Sequence, residues 1–277
     1  MTSCVPNVLS IAGSDPSGGA GIQADLKTFA ALGVYGCAVP TALTAQNTVE
    51  VRAVFPVPRH SLEAQLEAVF SDVRVDAVKI GMLGTVDAVL AVAAALRAHR
   101  PPIVVLDPVL RASTGARLID AATLAALCEL LLPLATIVTP NAPEAAALLG
   151  IDAPQCPGGA REAAASLRAR GARAVVVTGG HLADADAAVD VLDAGKGALE
   201  ITVPRIAGGG GHGTGCTYSS AVAALLARGL SLPEACTEAQ RFVAAAIAHG
   251  AALRVGRGAG PVHQLGELWM QAGRGGA

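Results

Sequence analysis

Aromatic side chains are scarce: four Phe, two Tyr and one Trp make up 3% of the 277 residues, although 52% of the chain is hydrophobic. A core of that composition is built from Ala, Val and Leu, and it is too large for the chain as a whole to be disordered. Net charge is nearly absent as well, at −2 with a pI near 6.3, so no broad positive field exists to hold a nucleic-acid backbone or an anionic membrane. Apolar stretches such as Ala88 to Leu96 are too short to span a bilayer, and the opening MTSCVPNVLSIAG lacks the basic segment of a signal peptide. No Cys-x-x-Cys pair joins any of the six cysteines, Cys4, Cys37, Cys128, Cys156, Cys216 and Cys236, which argues against a zinc site and for free thiols in a reducing, cytoplasmic setting. A GxxxxGK[ST] phosphate loop is missing too. Lysine is limited to Lys27, Lys79 and Lys196, so each one near a cleft matters.

What the chain does have is alternation. Val8 to Ala12 is a short apolar run that ends in Gly13, followed by the turn-rich SDPSGGAG and a helical pattern through Ile22, Leu26 and Phe29. The same order recurs at Ala77 to Ile80 with Val86 to Leu96, at Ile103 to Leu106 with Leu124 to Leu131, and at Ile137 to Val138 with Pro143 to Leu149. These are βαβ units around a largely parallel sheet. Cys37 to Leu43 and Val51 to Val57 form a β-rich stretch that reads as a lid or an edge hairpin. Ala174 to Val177, Ala188 to Leu192 and Leu199 to Val203 predict three more strands, the last two as an antiparallel hairpin. Helices over Gly215 to Arg228 and Pro233 to Leu253, the latter capped by Ser231, close the fold. With no repeat and no long linker, residues 1–272 are expected to form one domain, and the glycine-rich 273–277 a disordered tail.

The strongest chemical feature is His212-Gly-Thr-Gly-Cys216, which enters an apolar helix. Glycines there let the backbone approach a ligand, and unpaired first-turn N–H groups at the positive end of a helix dipole bind anions. A plain glycine-rich helix entry with Thr214 as its cap is the alternative. Cys216 at that terminus is expected to have a lowered pKa and to serve as base or nucleophile, against the ordinary role of a cysteine as packing. Gly208-x-Gly210-x-x-Gly213 matches a dinucleotide fingerprint only formally, since the acidic partner would be Glu234, inside the next helix.

Asp107 closes one strand and Glu144 follows Thr139-Pro-Asn141 after another, where carboxylates at carboxyl strand ends can face a magnesium-bound phosphate. The same residues are also helix-start signals. Gln46 offers an amide whose donor and acceptor suit a heterocycle edge, or simply a surface turn. Lys79 sits inside an apolar strand and needs a partner or an exit to water. His181, after Thr178-Gly-Gly, is a loop histidine.

Taken together, IAGSDPSGGAGIQADLKTF, TALTAQNT, SDVRVDAVKIGMLG, LDPV, TPNAPEAAALL, GGH, HGTGCT and VGRGAGPVH resemble bacterial hydroxymethylpyrimidine/phosphomethylpyrimidine kinases, from about Val8 to His263. The resemblance implies a ribokinase-like, three-layer αβα fold with a mostly parallel sheet flanked by helices. It implies ATP-dependent phosphorylation of 4-amino-5-hydroxymethyl-2-methylpyrimidine and of its monophosphate in thiamine biosynthesis, with magnesium as cofactor and a homodimer as the usual assembly. By position, Gly13, Ala20, Asp25, Gln46, Met82 and Val109 would contact the pyrimidine. Gly213, Thr214 and Gly215 would form the anion hole, with Cys216 as catalytic base. Asn141, Thr178, Gly180 and His181 would lie on the nucleotide side, and Asp107 and Glu144 by the metal. Relatives often carry lysine where this chain has Thr178, and a polar segment where it has Gly208 to Gly211. Pyridoxal or pyridoxine kinases share the scaffold and are the rival activity, and a non-catalytic pyrimidine-binding protein is the rival of another class.

Overall fold

Successive residues of the first strand sort to opposite sides: Val8 packs with Phe29 and Val222, whereas Leu9 and Ile11 pack with Leu62, Val89 and Leu96. That alternation, repeated strand by strand, builds the molecule. The structure, a computed structural model, describes residues 4–112, 115–182, 186–206 and 211–273. The order is β1 (Asn7–Ser14), α1 (Gly21–Ala31), β2 (Tyr35–Gln46), β3 (Val51–Pro56), α2 (Arg59–Phe70), β4 (Ala77–Ile80), α3 (Val86–His99), β5 (Val104–Leu106) and α4 (Ala121–Leu130). It continues with β6 (Ile137–Val138), α5 (Ala142–Leu149), α6 (Pro157–Ala169), β7 (Val175–Val177), β8 (Ala187–Asp193), β9 (Ala198–Pro204), α7 (Thr214–Ala227), α8 (Leu232–Gly250) and α9 (Gly266–Gln271).

All the strands join one nine-stranded sheet in the order β3-β2-β1-β4-β5-β6-β7-β8-β9. From β2 to β7 the pairs are parallel, and antiparallel β3 and the β8–β9 hairpin finish the two ends. The fold is three-layered α/β, with α2 to α6 packed over one face and α1, α7 and α8 over the other. β4, β5, β6 and β7 are buried at every position, which is why they read as apolar runs, broken only by Lys79 in β4. α7 is buried all round from Thr217 to Leu226, and its Ala and Ser content lets the sheet, α1 and α8 approach it closely.

The segment expected to be a lid or an edge hairpin is the hairpin: β3 pairs antiparallel with β2 and ends in Pro56, where the ladder stops. α7 begins one residue before Gly215, and α8 ends at Gly250, short of the expected Leu253. Ser231 caps α8 as expected, its N–H bonding Glu234 at 2.9 Å, so Glu234 belongs to a capping box rather than to a dinucleotide site. Gly208 to Gly210 and residues 274–277 lie outside the described residues. Among the described residues, no helix is long and apolar enough to cross a membrane.

β1 has β2 on one side and β4 on the other, both parallel to it. The chain therefore winds one way through α1 and returns the other way through α2, and the carboxyl ends of β1 and β4 form a switch-point crevice.

Candidate active site

Two helix N-termini meet at this crevice. α7 starts at Gly213, whose φ of 87° and lack of Cβ are both required, because a Cβ there would lie 1.8 Å from the Gly19 carbonyl oxygen. Among the described residues no side chain caps the helix: Thr214 Oγ1 instead donates to Gly211 O at 2.7 Å. The expected alternative, Thr214 as a cap, is therefore not what the structure has. The Thr214 N–H bonds Gly211 O at 3.4 Å, and the next amides, of Gly215 and Cys216, are first-turn donors of the kind that can bind an anion. α1 starts opposite at Gly21, with φ 57°.

Beneath these termini lies a buried polar cluster on the α1/α7 side of the sheet. Asp25 of α1 accepts from Lys79 Nζ at 2.9 and 3.0 Å, from Ser10 Oγ at 2.6 Å and from Ser220 Oγ at 2.7 Å. Lys79 thus has the partner that its strand position demanded. Burial alone would lower its pKa, but Asp25, Cys216 and Asp107 outweigh that and raise it. Asp107, at the end of β5, accepts from Ser219 Oγ at 2.8 Å and lies 3.9 Å from Lys79 Nζ. Burial raises the Asp107 pKa against the pull of Lys79 and Ser219.

Cys216 departs from expectation. A helix N-terminus alone lowers a thiol pKa, but here burial pushes it up to about 12, with Lys79 opposing and Asp25 and Asp107 reinforcing the rise. The free protein therefore holds Cys216 as a thiol.

The remaining predicted residues fall along the same carboxyl edge. Met82 follows β4, and a Cβ on Gly13 at the end of β1 would come within 2.6 Å of its Cε. Ala20 N–H bonds Asp15 Oδ2 at 2.9 Å, and Val109 is half-buried beyond Asp107, its N–H bonding the Asp107 carbonyl at 2.9 Å. Gln46 ends β2 beside His212. Asn141 caps α5, with its Oδ1 accepting from Glu144 N and Glu144 Oε2 accepting from Asn141 N, both at 2.9 Å. The helix-start reading of Asn141 and Glu144 is thus realised, while leaving Glu144 beside Asp107. Thr178 bridges to Asn141, and its N–H bonds Pro140 O at 2.9 Å, so the loops after β6 and β7 adjoin. Gly180 and His181 lie exposed in the turn after β7.

Glu144 is raised to about 8 by burial and by the neighbouring charge of Asp107. Two oxygen ligands that repel each other in a buried setting suit a hard divalent cation that also binds phosphate, so Asp107 and Glu144 fit magnesium. Among the described residues, no group of three or more His, Cys, Asp or Glu could hold a metal ion. A raised carboxyl is protonated in the folded protein while its unfolded counterpart is ionised, so stability falls as pH rises from about 4.5 toward 8. Asp190, raised to about 6 by burial, shares only the acid part of that window. Glu144→Gln is expected to flatten most of the decline in Tm between pH 6 and 8, as read by thermal melts across pH.

Sequence reasoning missed Ser10, Ser219 and Ser220, and it left Asp15 and His212 without roles. His212 Nε2 lies 2.7 Å from Asp15 Oδ2, in contact across 197 positions.

The fold and this crevice, with a helix N-terminus at its edge, define a ribokinase-like small-molecule kinase. A pyridoxal kinase from Staphylococcus aureus, solved with AMP-PCP and pyridoxal, superposes with a TM-score of 0.86 at 36% identity over 95% of this chain and 94% of that one. A phosphomethylpyrimidine kinase from Clostridium difficile gives a TM-score of 0.76 at 38% identity over 86% and 97%. The family model described as phosphomethylpyrimidine kinase matches residues 15–263, and the chain belongs to that family. A hydroxymethylpyrimidine/phosphomethylpyrimidine kinase of Salmonella typhimurium is 48% identical over 95% of this chain and 98% of its own length.

Proposed function

We propose that this protein transfers the γ-phosphoryl group of ATP to the hydroxymethyl of 4-amino-5-hydroxymethyl-2-methylpyrimidine, and then a second one to the monophosphate, for thiamine biosynthesis. The observation that carries this reading is the juxtaposition at one crevice of the Gln46 amide with the uncapped N-terminus of α7, through His212. Gln46 would read the aminopyrimidine, with Gly13, Ala20, Asp25, Met82 and Val109 shaping its pocket. Gly213, Thr214 and Gly215 would receive the transferring phosphoryl, and Cys216 would meet the acceptor hydroxyl and take its proton. Phosphoryl transfer needs positioning and charge neutralisation more than covalent chemistry, which suits this set of groups. Asn141, Thr178, Gly180 and His181 would border the nucleotide. Asp107 and Glu144 would hold magnesium, which when bound neutralises phosphate charge.

Residues 1–272 act as one unit in this reading, in the cytoplasm. A homodimer belongs to it too, with exposed Tyr35, Leu43, Val49 and Phe55 around the edge hairpin as the surface to be covered, and the mass in solution tests that. The deciding experiment offers the pyrimidine, its monophosphate and pyridoxal separately, with ATP and magnesium. Turnover of both pyrimidines with little on pyridoxal is expected, and a preference for pyridoxal would overturn the assignment. Gln46→Ala is expected to raise KM for the pyrimidine about 10- to 100-fold, the equivalent of stranding one buried polar partner. Its KM for ATP should stay within about twofold, and an equal loss for both substrates would make Gln46 structural.

A further inference from the structure

His212 is more than a neighbour of Gln46. Its side chain is 5% exposed, and it packs so closely on Gly19 that a Cβ there would lie 2.3 Å from Cδ2. Its backbone is tied as well, with its N–H bonding Gly260 O at 2.9 Å and its carbonyl accepting from Val262 at 3.3 Å. The ring therefore has little freedom, and its Nε2 serves two groups at once: Asp15 Oδ2 at 2.7 Å and the Gln46 amide at 3.1 Å.

Asp15 decides which atom carries the proton. Its oxygens accept from Ser17 N–H at 2.9 Å, Ser17 Oγ at 2.7 Å, Gly19 N–H at 3.1 Å and Ala20 N–H at 2.9 Å. Burial works against ionisation there, but the bonds from His212, Ser17 and Ala20 outweigh it and hold the carboxyl below its usual range. An ionised carboxylate 2.7 Å away requires a hydrogen on His212 Nε2. An Nε2–H offers no lone pair, so the Gln46 atom beside it has to be the carbonyl oxygen.

The other end of the amide gives the same answer. As placed, Gln46 Nε2 faces His212 and Oε1 lies 3.4 Å from Thr44 Oγ1, whose proton already goes to Ser14 O at 2.9 Å. The two ends of an amide share one outline, and half a turn about the last bond exchanges them. After that turn the one hydrogen on His212 Nε2, directed chiefly at Asp15, is shared with Oε1, and the amide Nε2 donates to the Thr44 oxygen. One rotation resolves both conflicts.

We propose that the Asp15–His212 pair is a positioning device that fixes Gln46 with its carbonyl toward His212, so that the amide presents one N–H and one carbonyl lone pair in a set order to the substrate. This rests on the reading that Gln46 faces the pyrimidine. A 4-aminopyrimidine offers a ring nitrogen acceptor next to an amino donor. Its 4-oxo counterpart offers N–H and C=O in the reverse order, and only a turned amide could pair with it. The device therefore selects the amino over the oxo ring.

The test compares kcat/KM for 4-amino-5-hydroxymethyl-2-methylpyrimidine and its 4-oxo analogue in wild type, His212→Ala, His212→Gln and Gln46→Ala. Sites built to pair with a polar group reject the mismatched analogue strongly, so wild type is expected to prefer the amino ring by about 100-fold or more. His212→Ala should shrink that preference to within about tenfold, by freeing the amide to turn, and Gln46→Ala should do the same. His212→Gln should restore it, because Asp15 again accepts from the amide N–H placed there. A His212→Ala enzyme weakened equally on both rings, with its preference intact, overturns the proposal. The 15N shifts of the His212 ring in the free protein give a reading that needs no substrate: a protonated Nε2 is expected, and a bare Nε2 overturns the arrangement. Wild type inert toward both pyrimidines would overturn the specificity role together with the functional reading, with the ring shifts still deciding the hydrogen-bond order.

Discussion

Replacing Cys216 with alanine is expected to lower kcat by at least about 100-fold, within the range lost when a positioned proton acceptor is removed, while the Kd for hydroxymethylpyrimidine changes by less than about threefold. The backbone donors of α7 survive the substitution, so the anion hole remains and only Sγ is lost. The pH profile separates two ways in which Sγ can matter. With the thiol pushed up to about 12, the thiolate is about one molecule in 10⁵ at pH 7. A base of that kind makes kcat/KM climb about tenfold per pH unit between pH 7 and 10, a slope that Cys216→Ala abolishes. A flat profile with the full loss in Cys216→Ala would assign the thiol to holding the acceptor hydroxyl. Wild-type turnover in Cys216→Ala would remove the residue from the chemistry altogether.

Which parts of this molecule were legible in sequence follows from how local their causes are. β4 and β6 have the bounds that their apolar runs suggest, because strands buried on both faces are apolar almost throughout, with Lys79 as the one polar side chain in the two. α2 and α6 were not read. α2 buries only Leu62 and Leu66, and α6 starts Pro-Gly-Gly and shows the core an Ala stripe with a single Leu, so neither has the broad apolar face that periodicity detects. The helix entry at Gly213 was spelled out by glycines adjacent in sequence. By contrast, the Asp15–His212 contact joins the two ends of the chain, and nothing local in SDPSGG or HGTGC specifies it. The Cys216 pKa failed for the same reason: the local helix terminus lowers it, while burial and the carboxylates Asp25 and Asp107, brought from distant segments, raise it. Lys79 is the intermediate case, since its position in an apolar strand demanded a partner without naming Asp25.

That partnership carries the second large effect. Lys79→Met is expected to destabilise the protein by about 3–5 kcal/mol, the cost of breaking a buried ion pair by removing one partner. At about 2 °C per kcal/mol for a chain of this size, Tm should fall by about 5–10 °C. Both side chains are fully buried, so water cannot re-enter to solvate the stranded carboxylate. Ser10 and Ser220 would still donate to Asp25, but two hydroxyls do not replace a cation, and Asp107 would lose its nearest positive charge as well. Met is close to Lys in volume, which separates loss of charge from loss of packing. The double variant Lys79→Met/Asp25→Leu removes the carboxylate along with the cation and should recover a large part of the lost stability, because a buried pair exchanged for apolar groups is often neutral. It also keeps the argument testable if the single variant fails to fold. A Lys79→Met protein within about 1 kcal/mol of wild type, or a double variant no more stable than the single one, would mean that Asp25 is already neutral in the folded state and that hydroxyl hydrogen bonds, rather than the ion pair, hold α1 and α7 on the sheet.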